Sequence, residues 1–260
     1  MFPVIHVDRL WKAFGENRVL DDVSLKILPG ESVSIVGPSG CGKTVLAKHF
    51  NALLLPDFGR VTVYGIDTLE ADETQLDEIR RKIGYVFQGN ALFESAIAST
   101  VYMNVSLPLR GDPYDYPAQN EPQIEARAEQ VLRQVGLGPE FFDRFPNQLS
   151  GGQQKRVAVA RAVVANPPVV IYDEPTMGLD PQYAEILIEL ICQIHKDDGN
   201  TTLAITHDKQ LMQRMERLIF LRNRTISFDG PTKDYFNSTD PVIMRFLASA
   251  PPTHSVAAVP

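Results

Sequence analysis

The sequence predicts an α/β fold in which helices cover both faces of a largely parallel sheet. Short apolar runs predict strands at residues 32–36, 169–172 and 202–206, and these alternate with helical patterns at residues 43–55 and 183–195. Parallel strands read as apolar runs of this kind because helices bury them on both sides. At 260 residues, with 44% hydrophobic and 22% charged residues, the chain is long enough for one large core or a core with a subdomain.

Residues 4–27 predict a hairpin-rich antiparallel sheet ahead of the parallel one. Strand-like runs flank a turn-prone segment that begins at Gly15. Further strands are predicted at residues 60–64 and 83–87. We therefore expect an N-terminal β-subdomain beside the main sheet.

A mainly helical segment, residues 91–165, is predicted to be inserted into the α/β core. Apolar residues recur at helical spacing in residues 123–135, and a second, Ala-rich helix is predicted at residues 154–165. The intervening loop is expected to begin at Leu107 and to continue to Pro122. Beyond Leu247 the small-residue, Pro-containing tail is expected to be mobile.

Composition excludes several classes of function. A net charge of −7 argues against a general nucleic-acid surface, which needs clustered Lys and Arg, so no nucleic-acid partner is expected. No apolar stretch approaches the roughly 20 residues that cross a bilayer, and the N-terminus lacks the pattern of a signal peptide. We therefore expect a cytoplasmic chain. Its two cysteines give no disulfide framework or metal spacing.

Residues 37–44 form the motif that indicates the class of ligand. They follow a predicted strand, precede a helical pattern, and are Gly37, Pro38, Ser39, Gly40, Cys41, Gly42, Lys43 and Thr44. Glycines allow a tight turn that aims backbone N–H groups at a phosphate, and the helix N-terminus adds partial positive charge. Lys43 would reach the β- and γ-phosphates, and the Thr44 hydroxyl would bind magnesium. The alternative, a Gly-rich turn with an incidental Lys-Thr pair, does not account for the match of both flanks.

Asp173 and Glu174 follow the apolar strand at residues 169–172. The carboxyl ends of strands are where α/β sheets place ligand chemistry. Asp173 is suited to hold magnesium, directly or through water, and Glu174 to polarise an attacking water as general base. Taken alone, the pair would be interpreted as a solvated turn, but the phosphate-binding loop upstream favours the catalytic interpretation.

Residues 149–153 read Leu-Ser-Gly-Gly-Gln and give a second glycine-bearing helix N-terminus that can accept phosphate. With the phosphate-binding loop before it and the Asp-Glu strand after it, the sequence resembles the ATP-binding-cassette (ABC) ATPases over about residues 4–230. The resemblance implies a P-loop NTPase fold with a parallel-rich core sheet, an N-terminal antiparallel β-subdomain and an inserted helical subdomain.

The resemblance also implies a division of the chain. A single ABC ATPase domain would span residues 1–235, with residues 1–90 and 166–235 as a RecA-like core plus β-subdomain. Residues 91–165 would be the helical signature subdomain, and residues 236–260 a C-terminal tail that could contact a second copy.

Further site residues are implied by the resemblance. Phe14 occupies the position that stacks on adenine, with Val19 beside it; an ordinary core aromatic is the alternative for Phe14. Gln88 matches the glutamine that contacts magnesium and the attacking water, and His207 the switch histidine at the γ-phosphate. Asp180 is the strongest match in the loop that crosses the dimer interface. In isolation, each of these polar residues would be interpreted as surface, turn or structural.

In the family geometry, two copies assemble head to tail. Ser150, Gly151, Gly152 and Gln153 of one copy would then close over the ATP and Mg²⁺ held at Lys43 of the other. The resemblance further implies separate integral-membrane permease subunits, which would hold the chain at the inner face of the cell membrane. The permease contact is expected in a groove beside residues 88–95.

Local features resemble one subfamily, the ATPases of bacterial mammalian-cell-entry (Mce) or maintenance-of-lipid-asymmetry phospholipid transporters. They are found in residues 43–49, 86–93, 104–110 and 240–247. This resemblance implies a lipid substrate and an Mce-type lipid-binding partner. Gln153, where many subfamily members have Met, and residues 94–97 depart from the pattern. A transporter of another substrate and a non-transport ABC role stay open as alternatives.

Overall fold

The structure is a computed structural model that describes residues 2–94, 100–110 and 120–249. The strands of these residues are β1 (Ile5–Phe14), β2 (Asn17–Ile27), β3 (Ser32–Val36), β4 (Phe58–Val63), β5 (Ile66–Asp67), β6 (Ile83–Val86), β7 (Val169–Asp173), β8 (Thr201–Ile205), β9 (Arg217–Arg222) and β10 (Thr225–Pro231). The helices are α1 (Lys43–Phe50), α2 (Glu73–Arg81), α3 (Val101–Ser106), α4 (Glu121–Gln134), α5 (Gly151–Val163), α6 (Pro181–Asp198), α7 (Lys209–Arg214), α8 (Thr232–Phe236) and α9 (Pro241–Ser249).

The larger sheet has the strand order β10-β9-β3-β8-β7-β6, with parallel neighbours from β9 to β6 and an antiparallel edge strand β10. Along β7, Val169 and Ile171 pack into one hydrophobic cluster, whereas Val170 and Tyr172 pack into another. Alternate side chains of a strand point to opposite faces, so both faces of this sheet are covered. The predicted largely parallel α/β core is confirmed.

The smaller sheet is antiparallel and has the order β2-β1-β4-β5. Its β1 strand pairs with β2 across the turn at Gly15 and with β4 on the other edge. Leu10, Leu20 and Val23 of these strands are fully buried in the same cluster as Leu46 of α1. The predicted N-terminal β-sheet is therefore packed against the helix that follows residues 37–42.

Helices α3, α4 and α5 pack together with α6 on the other face of the main sheet. Their shared cluster includes Val105 of α3, Val131 of α4 and Val159 of α5, all fully buried. Helix α5 begins at Gly151 because Ser150 and Gln153 form a reciprocal capping box. Among the described helices, none has the length and hydropathy that crossing a membrane requires.

Several predicted boundaries were wrong. Helix α1 ends at Phe50, not Leu55, because Ala52 takes a left-handed conformation with φ 54° and the Leu55 carbonyl accepts a bond from Lys12 Nζ at 2.9 Å. The expected loop to Pro122 ends earlier, since α4 begins at Glu121 and Pro122 lies in its first turn, where its missing N–H costs no helical bond.

Some expectations fall outside the described residues. These are the substrate-related pattern at residues 95–97, the loop at residues 111–119 and the tail at residues 250–260. Helix α2, strands β9 and β10 and helices α7 to α9 were not predicted individually, although they lie in the described part of the chain.

Candidate active site

The phosphate-binding loop connects β3 to α1 along the middle of the main sheet. Gly42 has φ 104° and precedes the first residue of α1, Lys43. At Gly37, φ is 155° and an added Cβ would lie 2.1 Å from the Leu221 carbonyl oxygen, so this position admits only glycine. Lys43 Nζ donates to the carbonyl oxygens of Gly37 and Pro38 at 2.9 and 3.1 Å. The amine is thus held over the loop whose N–H groups would bind phosphate.

Asp173, at the end of β7, is joined to the first turn of α1. Thr44 Oγ1 donates to Asp173 Oδ1 at 3.0 Å, and the Tyr85 hydroxyl donates to Asp173 Oδ2 at 3.0 Å. Burial raises the pKa of Asp173, and the two hydrogen bonds oppose this rise. Both oxygens of the carboxylate are therefore fixed beside the phosphate-binding loop.

Glu174 is paired with His207 across the carboxyl ends of β7 and β8. His207 Nδ1 lies 2.7 Å from Glu174 Oε2, and this hydrogen bond raises the pKa of His207 against the opposing effect of partial burial. Glu174 has φ 49°, a left-handed conformation that costs a non-glycine residue about 1–3 kcal/mol. Its N–H donates to the Ile205 carbonyl oxygen at 2.8 Å, which holds this conformation in place.

A single cavity of about 650 Å³ gathers the predicted catalytic side chains. Lys43, Gln88, Glu174 and His207 all line it, together with the loop residues Gly37, Pro38 and Ser39. Gln88 follows β6, and its Nε2 lies 3.2 Å from Met177 Sδ. The fold therefore brings residues from four separate motifs to one space large enough for the terminal phosphate of a nucleotide.

The predicted base-stacking hairpin lies next to the phosphate-binding loop. Val19 contacts this loop closely, since a Cβ at Gly42 would lie 3.0 Å from Val19 Cγ1. Phe14, at the end of β1, is 49% exposed and has Lys12 Nζ 5.6 Å from its ring centroid. Phe14 belongs to the same hairpin as Val19 but is not among the described residues that line the catalytic cavity, and its exposed ring is available for stacking on a base. Cys41 and Gly40 lie within the loop, and burial raises the pKa of Cys41.

The described residues lining the catalytic cavity do not include the Leu-Ser-Gly-Gly-Gln segment or Asp180. Ser150 caps α5, and Gly151 and Gly152 form its first turn with Gln153. A Cβ at Gly151 would have nothing within 4 Å, whereas a Cβ at Gly152 would be in ordinary van der Waals contact with Tyr183 and Leu179, at 3.7 Å or more. Asp180 caps α6 by accepting from the N–H groups of Gln182 and Tyr183 at 3.1 and 3.2 Å.

Sequence reasoning missed several residues of the site. Tyr85 fixes Asp173, and Lys155 Nζ reaches the Gln88 carbonyl oxygen at 3.5 Å. Burial lowers the pKa of Lys155, and Glu174 acts in the opposite direction. Arg222 and Arg245 line the catalytic cavity from the C-terminal part of the chain. Arg245 lies in the subfamily pattern at residues 240–247, which gave it no role in the site, and the other three belong to no contiguous motif, so the sequence carried no signal for them beyond strand alternation at Tyr85.

A phosphate-binding loop between a parallel strand and a helix, with two carboxylates at the end of another strand, defines a P-loop nucleoside triphosphatase. A match to the family described as "ABC transporter" covers residues 20–177. The chain belongs to the ABC transporter family, as one of its ATP-binding, ATP-hydrolysing subunits.

Relatives and solved structures support this assignment. The chain is 35% identical to the ribonucleotide transport ATP-binding protein mkl of Mycobacterium leprae, over 95% of this chain and 69% of that one. It is 38% identical to the chloroplastic protein TRIGALACTOSYLDIACYLGLYCEROL 3 of Arabidopsis thaliana, over 93% of this chain and 72% of that one. Other relatives are named for choline and methionine transport, and the chain spans 62% of the length of one of each.

A bacterial ABC transporter cassette, MJ0796, has been solved as a dimer. It is 36% identical to this chain, with a TM-score of 0.79 over 88% of this chain and 98% of that one. The same cassette has been solved in a dimeric post-hydrolysis state with ADP and Pi. ABC cassettes form dimers and work with membrane permease subunits, so the function of this chain is considered as part of such an assembly.

Proposed function

We propose that two copies of this chain close on ATP and hydrolyse it to drive lipid movement by a separate membrane permease. The observation that carries the hydrolytic part is the cavity shared by Lys43, Gln88, Glu174 and His207. Through the permease, the chain would lie at the inner face of the cell membrane. The lipid substrate rests on the subfamily pattern of the sequence and on a relative that is named for a galactolipid.

Each cavity side chain has a distinct role in this proposal. The loop N–H groups and Lys43 bind the phosphates, and Gln88 orients the attacking water. Glu174 accepts a proton from that water as it attacks the γ-phosphorus, and ADP leaves as the bond to its β-phosphate oxygen breaks. His207, held by Glu174 at 2.7 Å, donates its other ring N–H to the γ-phosphate. Phe14 and Val19 bind the base.

The residues present fit a magnesium ion bound with ATP. Hard oxygen ligands suit Mg²⁺, and Thr44 Oγ1 and Asp173 Oδ1 already lie 3.0 Å apart at the loop. Thr44, Asp173 and Gln88 would hold the ion directly or through water. The bound ion would neutralise charge on the β- and γ-phosphates during hydrolysis.

The hydrolytic proposal is tested with two substitutions in the purified chain. Glu174→Gln removes the proton acceptor and keeps the shape, so ATP turnover should fall by about 10²-fold or more while ATP binding is retained. Lys43→Ala should abolish Mg-ATP binding in calorimetry. Glu189→Gln, on the exposed side of α6, is the matched control and should behave as the unchanged chain. A normal turnover rate in Glu174→Gln would contradict the role of the general base.

We place the permease contact in a groove of about 1090 Å³ between α2, β6 and the helical segment. Its lining combines apolar residues, including Phe87, Ala91 and Phe93, with four arginines, which are Arg80, Arg81, Arg127 and Arg161. Gln88 follows directly after Phe87, so a permease segment in this groove would act on the catalytic cavity through one short loop. A photo-crosslinking residue at Ala91 should capture the permease in membranes, whereas the same residue at Glu189 should not.

The lipid part of the proposal is tested on the intact membrane complex. Purification through this chain should recover a permease, an Mce-type lipid-binding protein and phospholipid above the detergent background. Relatives named for ribonucleotide, choline and methionine transport define the second candidate, a transporter of a small polar solute. Recovery of a solute-binding protein without lipid, and ATP turnover stimulated by its solute, would favour that candidate.

A further inference from the structure

The catalytic cavity has a second wall that the proposed ATP chemistry does not use. Beyond the phosphate-binding loop, it is lined by Phe220 and Arg222 of β9 and by four residues of the C-terminal helix α9. These four are Pro241, Val242, Arg245 and Phe246. The C-terminal helix is therefore part of the same space as Lys43 and His207.

Packing fixes this wall relative to the phosphate-binding loop. Ile243 and Phe246 of α9 pack on Phe220, whose ring centroid lies 5.1 Å from that of Phe246. Phe220 pairs with Val36, the residue before Gly37, and belongs to the same hydrophobic cluster. Val242 and Arg245 are three residues apart and so share the face of α9 that lines the cavity. Arg245 is thus carried by a helix anchored directly behind the loop.

In the described part of the chain, the side chains of the two arginines of this wall are unpaired. Within residues 2–94, 100–110 and 120–249, the side chains of Arg222 and Arg245 form no hydrogen bond or ion pair with another residue. By contrast, Arg217 of the same strand is bonded to Asp229 and Glu31. A guanidinium without a carboxylate partner is suited to bidentate binding of a phosphate.

The charge balance of the cavity favours an anion. Lys43, Arg222 and Arg245 line it with His207, whose pKa is raised, whereas Glu174 is the one carboxylate among the described residues of the lining. Lys43 is already committed to the loop, where it donates to Gly37 and Pro38. Arg222 and Arg245 line the same cavity from β9 and α9, outside the loop, so they would serve an anion that has left the loop.

We propose that Arg222 and Arg245 form a product site that holds inorganic phosphate after its release from ADP. The proposal rests on the hydrolytic function proposed above. The γ-phosphate of ATP offers the same chemistry, but it is tethered to the loop through the β-phosphate, whereas free phosphate can move toward α9. Retention of phosphate here would keep the cavity occupied after bond cleavage and would delay its return to the ATP-binding state.

The test titrates inorganic phosphate into the purified full chain saturated with ADP, and measures both phosphate affinity and phosphate inhibition of ATP turnover. The double variant Arg222→Gln/Arg245→Gln should weaken phosphate binding by about tenfold, because hydrogen bonds between two charged groups contribute more binding free energy than neutral ones. Affinity for ATP should change less than twofold. Arg245→Lys keeps the charge but loses the bidentate geometry, so it should retain only part of the phosphate affinity. Arg224→Gln, in the adjacent turn and outside the cavity lining, is the charge-matched control and should have no effect.

Three results would overturn the proposal. First, the unchanged chain could fail to bind phosphate, or the double variant could bind phosphate as tightly as the unchanged chain. Second, ATP affinity could fall by the same factor as phosphate affinity, which would assign the arginines to the γ-phosphate of ATP. Third, the double variant could lose ATP-driven dimerisation while its phosphate affinity stays unchanged, which would assign the arginines to a carboxylate of the second copy. Each result is measured with protein that still hydrolyses ATP. Failure of the phosphate-site proposal can therefore be distinguished from failure of the hydrolytic proposal.

Discussion

At the scale of single residues, the site is built from constrained backbone and from paired side chains. Glu174 holds a left-handed conformation, and its carboxylate lies 2.7 Å from His207 Nδ1. Strain of this kind persists only where the surroundings over-determine the conformation. Here the hydrogen bond from the Glu174 N–H to the Ile205 carbonyl oxygen and the side-chain contact with His207 hold Glu174 in this conformation.

We predict that the titration of His207 reports its pairing with Glu174. The hydrogen bond to Glu174 raises the pKa of His207 above its ordinary value of 6.5. The stabilisation from the charged pair is therefore fully present below about pH 6.5 and is lost as pH rises through the folded pKa. NMR of the ring proton in the nucleotide-free chain should show a midpoint above 6.5 that falls in Glu174→Gln. An unchanged midpoint in that variant would contradict the pairing, and Glu189→Gln is the control.

A second prediction concerns the glycines of the phosphate-binding loop. A Cβ at Gly37 would lie 2.1 Å from the Leu221 carbonyl oxygen, whereas a Cβ at Gly40 would have nothing within 4 Å. Gly37→Ala should therefore displace β9 from the loop and cost about 3 kcal/mol of unfolding free energy. Gly40→Ala, with φ 75°, should cost only about 1 kcal/mol of backbone strain. If urea denaturation shows the same loss of unfolding free energy in both variants, close packing against Leu221 is not the reason for glycine at position 37.

Sequence alone points to candidate site residues where they lie together in a contiguous motif. The loop at residues 37–44 and the pair Asp173 and Glu174 could be recognised because turn geometry and strand ends dictate their spacing. Tyr85 and Lys155 could not be recognised, because their partners lie 88 and 67 residues away in sequence. Only the register of β6 on β7 and the position of α5 bring these side chains to the site.

At the scale of elements, capping residues fix where the helices next to the candidate site begin. Ser150 and Asp180 cap α5 and α6, so the two segments expected to face a second copy both begin at well-defined points. The sequence predicted these helices but placed their starts a few residues late. Residues in the first turn, such as Gly151 and Pro181, are helix-breaking in the interior yet acceptable at the first positions, so periodicity alone misplaces the boundary.

We predict that Asp180→Ala destabilises the fold through loss of its cap on α6. The side chain satisfies the N–H groups of Gln182 and Tyr183, so its removal should cost about 1 kcal/mol of unfolding free energy. Asp180→Ser can still accept from these N–H groups and should recover most of the loss. Urea denaturation of the three proteins without nucleotide gives the comparison. If the serine variant is as unstable as the alanine variant, capping is not what Asp180 contributes.

At the scale of the whole molecule, the fold separates two helix starts that the sequence predicts to bind phosphate. The loop before α1 lines the catalytic cavity, whereas the described segment before α5 does not. Tyr183, whose ring would lie 3.7 Å from a Cβ at Gly152, is 50% exposed. Two half-sites on one chain that do not meet favour assembly of complementary halves from two copies. The solved dimer of the related cassette supports this arrangement.

A mixing experiment distinguishes a site shared between copies from a site within one copy. Gly152→Asp should preserve the fold, since a Cβ there meets only atoms at 3.7 Å or more, but its carboxylate would repel phosphate. Homodimers of Gly152→Asp or of Lys43→Ala contain no intact shared site and should hydrolyse ATP slowly. A mixed dimer contains one intact shared site, formed by Lys43 of one copy and Gly152 of the other. Mixing the two inactive proteins should therefore restore turnover, measured as phosphate release. If each site belonged to one copy alone, every site in the mixture would carry a defect and no activity would return.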